Sequence, residues 1–224
     1  TPFKEILSLD LYQLLKPCQS LFKLSKMKQP DLENFVGIHN RKYCDGGQCI
    51  RLYKTFMKKK DPEAANIVMG HNEEDLLGLG TIFSLLAYKK LYDGEYHPKQ
   101  CVILEQELKI VIELSAAAPV NVSCGNSDFY LSVNGYEARM LVHLKEGKLR
   151  QYYRNYKDYE FIPGEDTAMP KSITRYMDKS LKIATTPQTC YTWFNCDEDF
   201  LNNEKKQMQY LTHTLPFFLD NLNK

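Results

Sequence analysis

No apolar run in the sequence approaches the roughly 20 residues that a membrane-spanning helix needs. The 224-residue chain carries a formal charge of only +1, so it has no global field to draw nucleic acid, and any basic surface must be local. Its seven cysteines include no CxxC pair and no Cys/His set at zinc spacing. Scattered and odd in number, they read as reduced thiols of a cytoplasmic protein. A phosphate-binding glycine loop and a G-x-S-x-G nucleophile elbow are both missing. The amino end, TPFKEILSLDLYQ, has neither a starting methionine nor the basic-then-apolar order of a signal peptide, and is expected to lie inside a longer protein.

With 43% hydrophobic and 25% charged residues, the composition is globular and supports an ample core. The predicted fold class is α/β, in two regimes that divide near residues 93–100. Residues 1–95 read as mostly helical. ILSLDLY is a short strand candidate, and Pro17 must kink or end the helix that follows. QPDLENFVGI opens a helix near Pro30 and closes it at Gly37. DGGQ is a loop, and CIRLYKTFMKKK then aligns Ile50, Tyr53, Phe56 and Met57 on one helical face. Asp61 and Pro62 start another helix, which Gly70 can close.

Residues 96–224 change to β-branched and aromatic runs separated by Asn-Gly, Glu-Gly and Pro-Gly turns. SVNGYEARM and HLKEGKLRQYY read as consecutive hairpins of an antiparallel sheet. Two helices, MPKSITRYMDKSLKI and EDFLNNEKKQMQYLTHTLPFFLDNL, are expected to cover it.

The stretch MGHNEEDLLGLGTIF, residues 69–83, concentrates the candidate chemistry. Asn72 and Asp75 have capping-box spacing, and Glu73, Glu74 and Asp75 would complement the dipole of a helix starting there. Alternatively, if the helix already includes His71, then His71 and Asp75 share a face at i and i+4. A carboxylate suits Mg²⁺ or Mn²⁺, and a neutral imidazole can accept a proton from water. That combination suits metal-assisted phosphodiester hydrolysis, although one aspartate cannot hold two dications.

The order of these pieces resembles the YprB-type ribonuclease H-like domain, a relative of the DnaQ-like (DEDD) 3′–5′ exonucleases. Leu32, Glu33, Gly37, Ile38 and Arg41 give Leu-Glu-x-x-x-Gly-Ile with a following arginine. Gly46 and Gly47, Tyr53, and then His71, Asn72 and Asp75 complete the pattern. The likeness covers about residues 5–92, and YYRNYKDYEFIPGEDTAMPKSI and TCYT resemble a carboxyl extension of some members. It implies an incomplete, mostly helical ribonuclease H-like half (1–95) followed by an antiparallel sheet flanked by helices (96–224). It further implies a 3′–5′ exonuclease using Mg²⁺ or Mn²⁺ on a single-stranded 3′ end, with Asp75 the last metal ligand and His71 orienting water. The family's Asp-x-Glu strand and middle aspartate are missing, and would belong upstream. Asp10 reads as structural. Thr192 runs directly into Trp193, where the family extension has a further segment. The rival reading is a non-catalytic module that binds nucleic acid or protein.

Lys148, Arg150, Tyr152, Tyr153 and Arg154 mix basic and aromatic character, as single-strand binding grooves do. The alternative is a sheet hairpin whose tyrosines pack across strands and whose lysines blunt an edge. Asp197, Glu198 and Asp199 read as a helix start.

Overall fold

The computed structural model describes residues 8–39, 41–43 and 46–222, which fall into two compact units, 1–86 and 87–224. The strand expected over ILSLDLY lies partly outside these residues. The remainder begins a helix, α1 (Leu11–Leu15), capped by the Asp10 carboxylate, which accepts from the Gln13 amide. Pro17 tightens the next turn to a 3₁₀ helix before α2 (Gln19–Phe22). α3 (Gln29–Phe35) carries Pro30 in its first turn, and Gly37, just past its Val36 cap, has a φ of +92°, the left-handed conformation that glycine adopts freely.

The longer helices correct the expectations. Gly46 and Gly47 belong to α4 (Gly46–Lys59) rather than to a loop. α5 (Pro62–Ile82) runs without interruption through Gly70. The capping-box reading of Asn72 and Asp75 therefore fails, because both sit mid-helix. Gly70 faces Tyr43, whose ring carbon Cζ would lie 2.3 Å from an added Cβ. It supplies closeness to a ring where a terminus was expected.

In the second unit α6 (Leu86–Asp93) precedes β1 (Tyr96–Leu104), β2 (Glu107–Gly125) and β3 (Phe129–His143). These form one antiparallel sheet in the order β1-β2-β3. Leu108, Ile110, Ile112 and Leu114 alternate inward along β2, the period-2 pattern of a sheet with one covered face. The hairpin expected at Asn134–Gly135 is absent, since β3 passes straight through it. Gly135, at φ +55°, instead opposes Ala118, where the register with β2 shifts. A bulge uses the same left-handed glycine as a turn.

The second predicted turn does form at Glu146–Gly147, both at positive φ, but it hands the chain to a different sheet. β4 (Lys148–Tyr152) pairs with β8 (Tyr191–Asn195), which runs continuously through Thr192 and Trp193. Between them β5 (Tyr159–Ile162), β6 (Thr167–Pro170) and β7 (Ile183–Ala184) make a small sheet of order β6-β5-β7. MPKSITRYMDKSLKI is not one helix. It yields the single turn α7 (Lys171–Thr174), a 3₁₀ turn and the start of β7.

Asp197 caps α8 (Glu198–Leu201), and Asn203 caps α9 (Glu204–Asp220). The face of α9 carrying Gln207, Tyr210, Leu211, Thr214, Leu215, Phe218 and Leu219 is buried, at the i, i+3, i+4 spacing of a core stripe. Burial holds Cys190 and Cys196 as protonated thiols, pushed up to about 11, which leaves them unreactive. Among the described residues no helix is long and apolar enough to cross a membrane.

Tyr210 is fully buried, and among the described residues its hydroxyl finds no hydrogen-bond partner. An unsatisfied buried donor costs about 1–3 kcal/mol, so Tyr210→Phe is expected to raise the unfolding free energy by ~1 kcal/mol. Urea denaturation of the variant and the parent measures the difference, and a loss of stability would refute the assignment.

Candidate active site

His71 and Asp75 lie one turn apart on α5, with His71 Nε2 3.4 Å from Asp75 Oδ2. Arg41, beyond the Gly37 turn, donates from Nε and Nη2 to the two oxygens of Glu33, both at 2.7 Å. Its third nitrogen, Nη1, reaches Asp75 Oδ1 at 2.7 Å. Bidentate geometry makes this the strong form of arginine–carboxylate contact. Gln29, one turn before Glu33 on α3, donates to Glu33 Oε1 at 2.9 Å and to the Asp75 carbonyl at 2.7 Å. Glu74 accepts from the amides of Lys42 and Tyr43. Gln29 and Glu33 from α3, Arg41 from the following loop, and His71 and Asp75 from α5 thus form one polar network, with Glu74 holding the loop backbone beside it.

The approach of α3 to α5 depends on Gly78. A Cβ there would lie 1.9 Å from Glu33 Oε1, a carboxylate that Arg41 and Gln29 hold in place. Glu33 is 2% exposed, and the Arg41 guanidinium keeps its carboxyl below the usual range. In return, hydrogen bonding to Glu33 pushes the Arg41 pKa further up. A buried carboxylate needs such a partner, because desolvation alone would neutralise it.

The arrangement constrains the predicted roles. One Asp75 oxygen meets Arg41 and the other faces His71. Among the described residues His71 Nδ1 is buried without a hydrogen-bond partner, and Nε2 is the ring nitrogen turned toward Asp75. Among the described residues no group of three or more His, Cys, Asp or Glu side chains could hold a metal ion. The donor set present does not by itself fit a divalent cation. Gln29 escaped the sequence reading altogether. Its legible signal was the i, i+4 spacing to Glu33.

The basic-aromatic stretch is not brought together as one surface. Lys148 is exposed at the start of β4. Arg150 lies 4.7 Å from the ring centroids of both Tyr191 and Trp193. Tyr152 is 5% exposed and stacked on Phe217 at 3.7 Å, so it serves the core and has no ring face to offer a base. Tyr153 stacks on Tyr159, with its hydroxyl 3.0 Å from Thr192 Oγ1. Arg154 donates to the Tyr92 hydroxyl and pairs with Asp220. Pairing across strands and helices explains these tyrosines.

Residues 2–87 match a family model described as RNase_H superfamily, which supports a ribonuclease H-like domain over that segment. No curated protein and no solved structure matches the chain.

Removing one partner from a buried ion pair costs about 3–5 kcal/mol, whereas replacing both with apolar groups is often close to neutral. Arg41→Met is therefore expected to destabilise the protein by ~3 kcal/mol, and the double variant Glu33→Met, Arg41→Met to recover most of that. The wild-type pair also has a pH signature. Because the folded Glu33 carboxyl sits low, its contribution is complete above the unfolded value of about 4.3 and fades as pH falls below it. Thermal melts from neutral pH to pH 3 should show this loss in the wild type and not in the double variant.

Proposed function

We propose that a ribonuclease H-like segment over residues 2–87 contributes Asp75 and His71 to a nuclease that hydrolyses phosphodiesters, acting as a 3′–5′ exonuclease on single-stranded DNA or RNA. The observation that carries this reading is the pairing of His71 and Asp75 on one face of α5, within the segment that matches the RNase_H superfamily model. Mg²⁺ or Mn²⁺ is the cofactor of the proposal; Asp75 would be one of its ligands, and the ion would supply activation of water and stabilisation of the leaving oxygen. The described residues give it one carboxylate, so its other donors must come from outside them.

Within the chain, each residue has a definite task. Arg41 fixes Asp75 Oδ1 and, through Glu33, ties that carboxylate to α3. His71 acts as a positioning residue by orienting the other Asp75 oxygen. Of the residues in β4 and just beyond it, exposed Lys148 suits a phosphate contact, while Arg154 is already tied to Asp220.

A second reading draws on the same geometry. A carboxylate held by an arginine on one oxygen and faced by a histidine on the other is a sound structural strut. In this case the segment is a non-catalytic module that binds nucleic acid or protein on a nuclease fold.

The test uses 3′-labelled oligonucleotides with Mn²⁺ and the full-length protein. Asp75→Asn, which keeps a hydrogen-bond acceptor for Arg41, is expected to fold normally and lose degradation. His71→Ala is expected to lose about 10–100-fold, as orienting partners of metal ligands do. Equal activity of Asp75→Asn and wild type, or no Mn²⁺-dependent degradation by the wild type, would leave the strut reading standing.

A further inference from the structure

Among the described residues, one half-buried arginine of the second unit makes no ion pair. Arg41, Arg139 and Arg154 each reach a carboxylate. Among the described residues Arg150 reaches none, and its Nε is buried without an acceptor. The carboxylate whose charge it feels, Asp166, is already engaged by the Tyr191 hydroxyl and the Trp193 indole N–H. Arg150 is half-buried, with Tyr191 and Trp193 each 4.7 Å away. Burial opposes the Arg150 charge, and what offsets it is a hydrogen bond to the Tyr152 side chain and the more distant pull of Asp166 and the tyrosines, none of which is an ion pair, so its remaining N–H donors are open to an anion.

Arg150 lines a pocket of about 210 Å³, together with Lys145, His143, Asp128, Trp193 and Tyr152. The Lys145 ammonium stands 5.5 Å from the Trp193 ring centroid, so two cations and a histidine converge on the same space. The Arg150–Trp193 cross-strand pair of β4 and β8 fixes the wall. Asp128 sits exposed at the rim, where it suits a hydroxyl of the ligand rather than its charge. The pocket is below the ~300 Å³ of drug-sized sites, so its occupant is small.

We propose that this pocket binds the phosphate group of a small phosphate ester, with Arg150 and Lys145 holding the phosphate and Asp128 accepting from a neighbouring hydroxyl. Arginine's planar fork matches a tetrahedral oxyanion, and lysine adds a point charge. The inference stands on the second unit alone and is independent of the nuclease reading. The same chemistry could be presented by a free ester or by the terminal phosphate of a nucleic acid.

Trp193 is the only tryptophan in the chain, so its emission reports directly on the pocket. The full-length protein is titrated, at constant ionic strength, with inorganic phosphate, ribose 5-phosphate, adenosine 5′-monophosphate, acetate, and an oligonucleotide with and without a 5′-phosphate. Saturable emission changes are expected with the phosphate-bearing small molecules and not with acetate. Lys145→Glu, at the exposed rim, is expected to raise the apparent Kd by about tenfold, and Arg150→Gln to remove the response. Circular dichroism establishes the fold of each variant, and Lys145→Glu carries the test if Arg150→Gln does not fold. A response to the oligonucleotide only when it is phosphorylated, tighter than to the free esters, would assign the site to a nucleic-acid end; the reverse order would assign it to a metabolite. No saturable change in the wild type, an equal response to acetate, or unchanged affinity in Lys145→Glu would overturn the proposal.

Discussion

The contact on which the first unit depends is the fork of Arg41 over Glu33, extended to Asp75. It joins a helix of seven residues to one of 21, and α3 is too short to be stable without tertiary support. Every neighbouring choice serves it. Gly37 turns the chain back so that Arg41 can reach, Gly78 lets the carboxylate approach the α5 backbone, and Gln29 closes the remaining acceptor. Asp75 is thus held by the same guanidinium that neutralises Glu33. Any chemistry assigned to that carboxylate must work with, or displace, a strong and geometrically specific partner.

The second unit rests on shape instead of charge. Tyr152 lies flat on Phe217, Phe129 lies flat on Phe218 at 4.0 Å, and Tyr191 meets Trp193 edge to face. These rings lock α9 and the β4–β8 pair into a single apolar block, since aromatic pairs add to the gain from burial. Arg150 is the exception in that wall, a charge placed where its neighbours offer rings.

Much of this was legible in the sequence. Proline at helix starts, Gly37 at a helix end and the alternation of β2 are local signals with local causes, and each element appears where they placed it. What could not be read was any choice between two uses of one signal. Gly70 looked like a helix end, yet tertiary packing used it for contact with Tyr43. Asn134–Gly135 looked like a turn, yet it was absorbed into a longer strand, because β2 continues past it and keeps pairing. The i, i+4 relation of His71 and Asp75 was readable as soon as the helix was known to be continuous. The Arg41 clamp joins residues 34 positions apart, a distance at which periodicity says nothing.

The pairing of β4 with β8 has one more implication. Tyr152 stands opposite Tyr191, and the Tyr153 amide donates to the Cys190 carbonyl just beyond. Everything from β5 to β7 therefore leaves and re-enters the unit through neighbouring backbone positions, like a small lobe grafted onto a hairpin. The lobe's surface loops can be lengthened or shortened during evolution provided that Asp166 and Phe161 keep their contacts with Tyr191 and Trp193 of β8. The two strands thus act as a frame whose aromatic residues the lobe itself helps to hold in place.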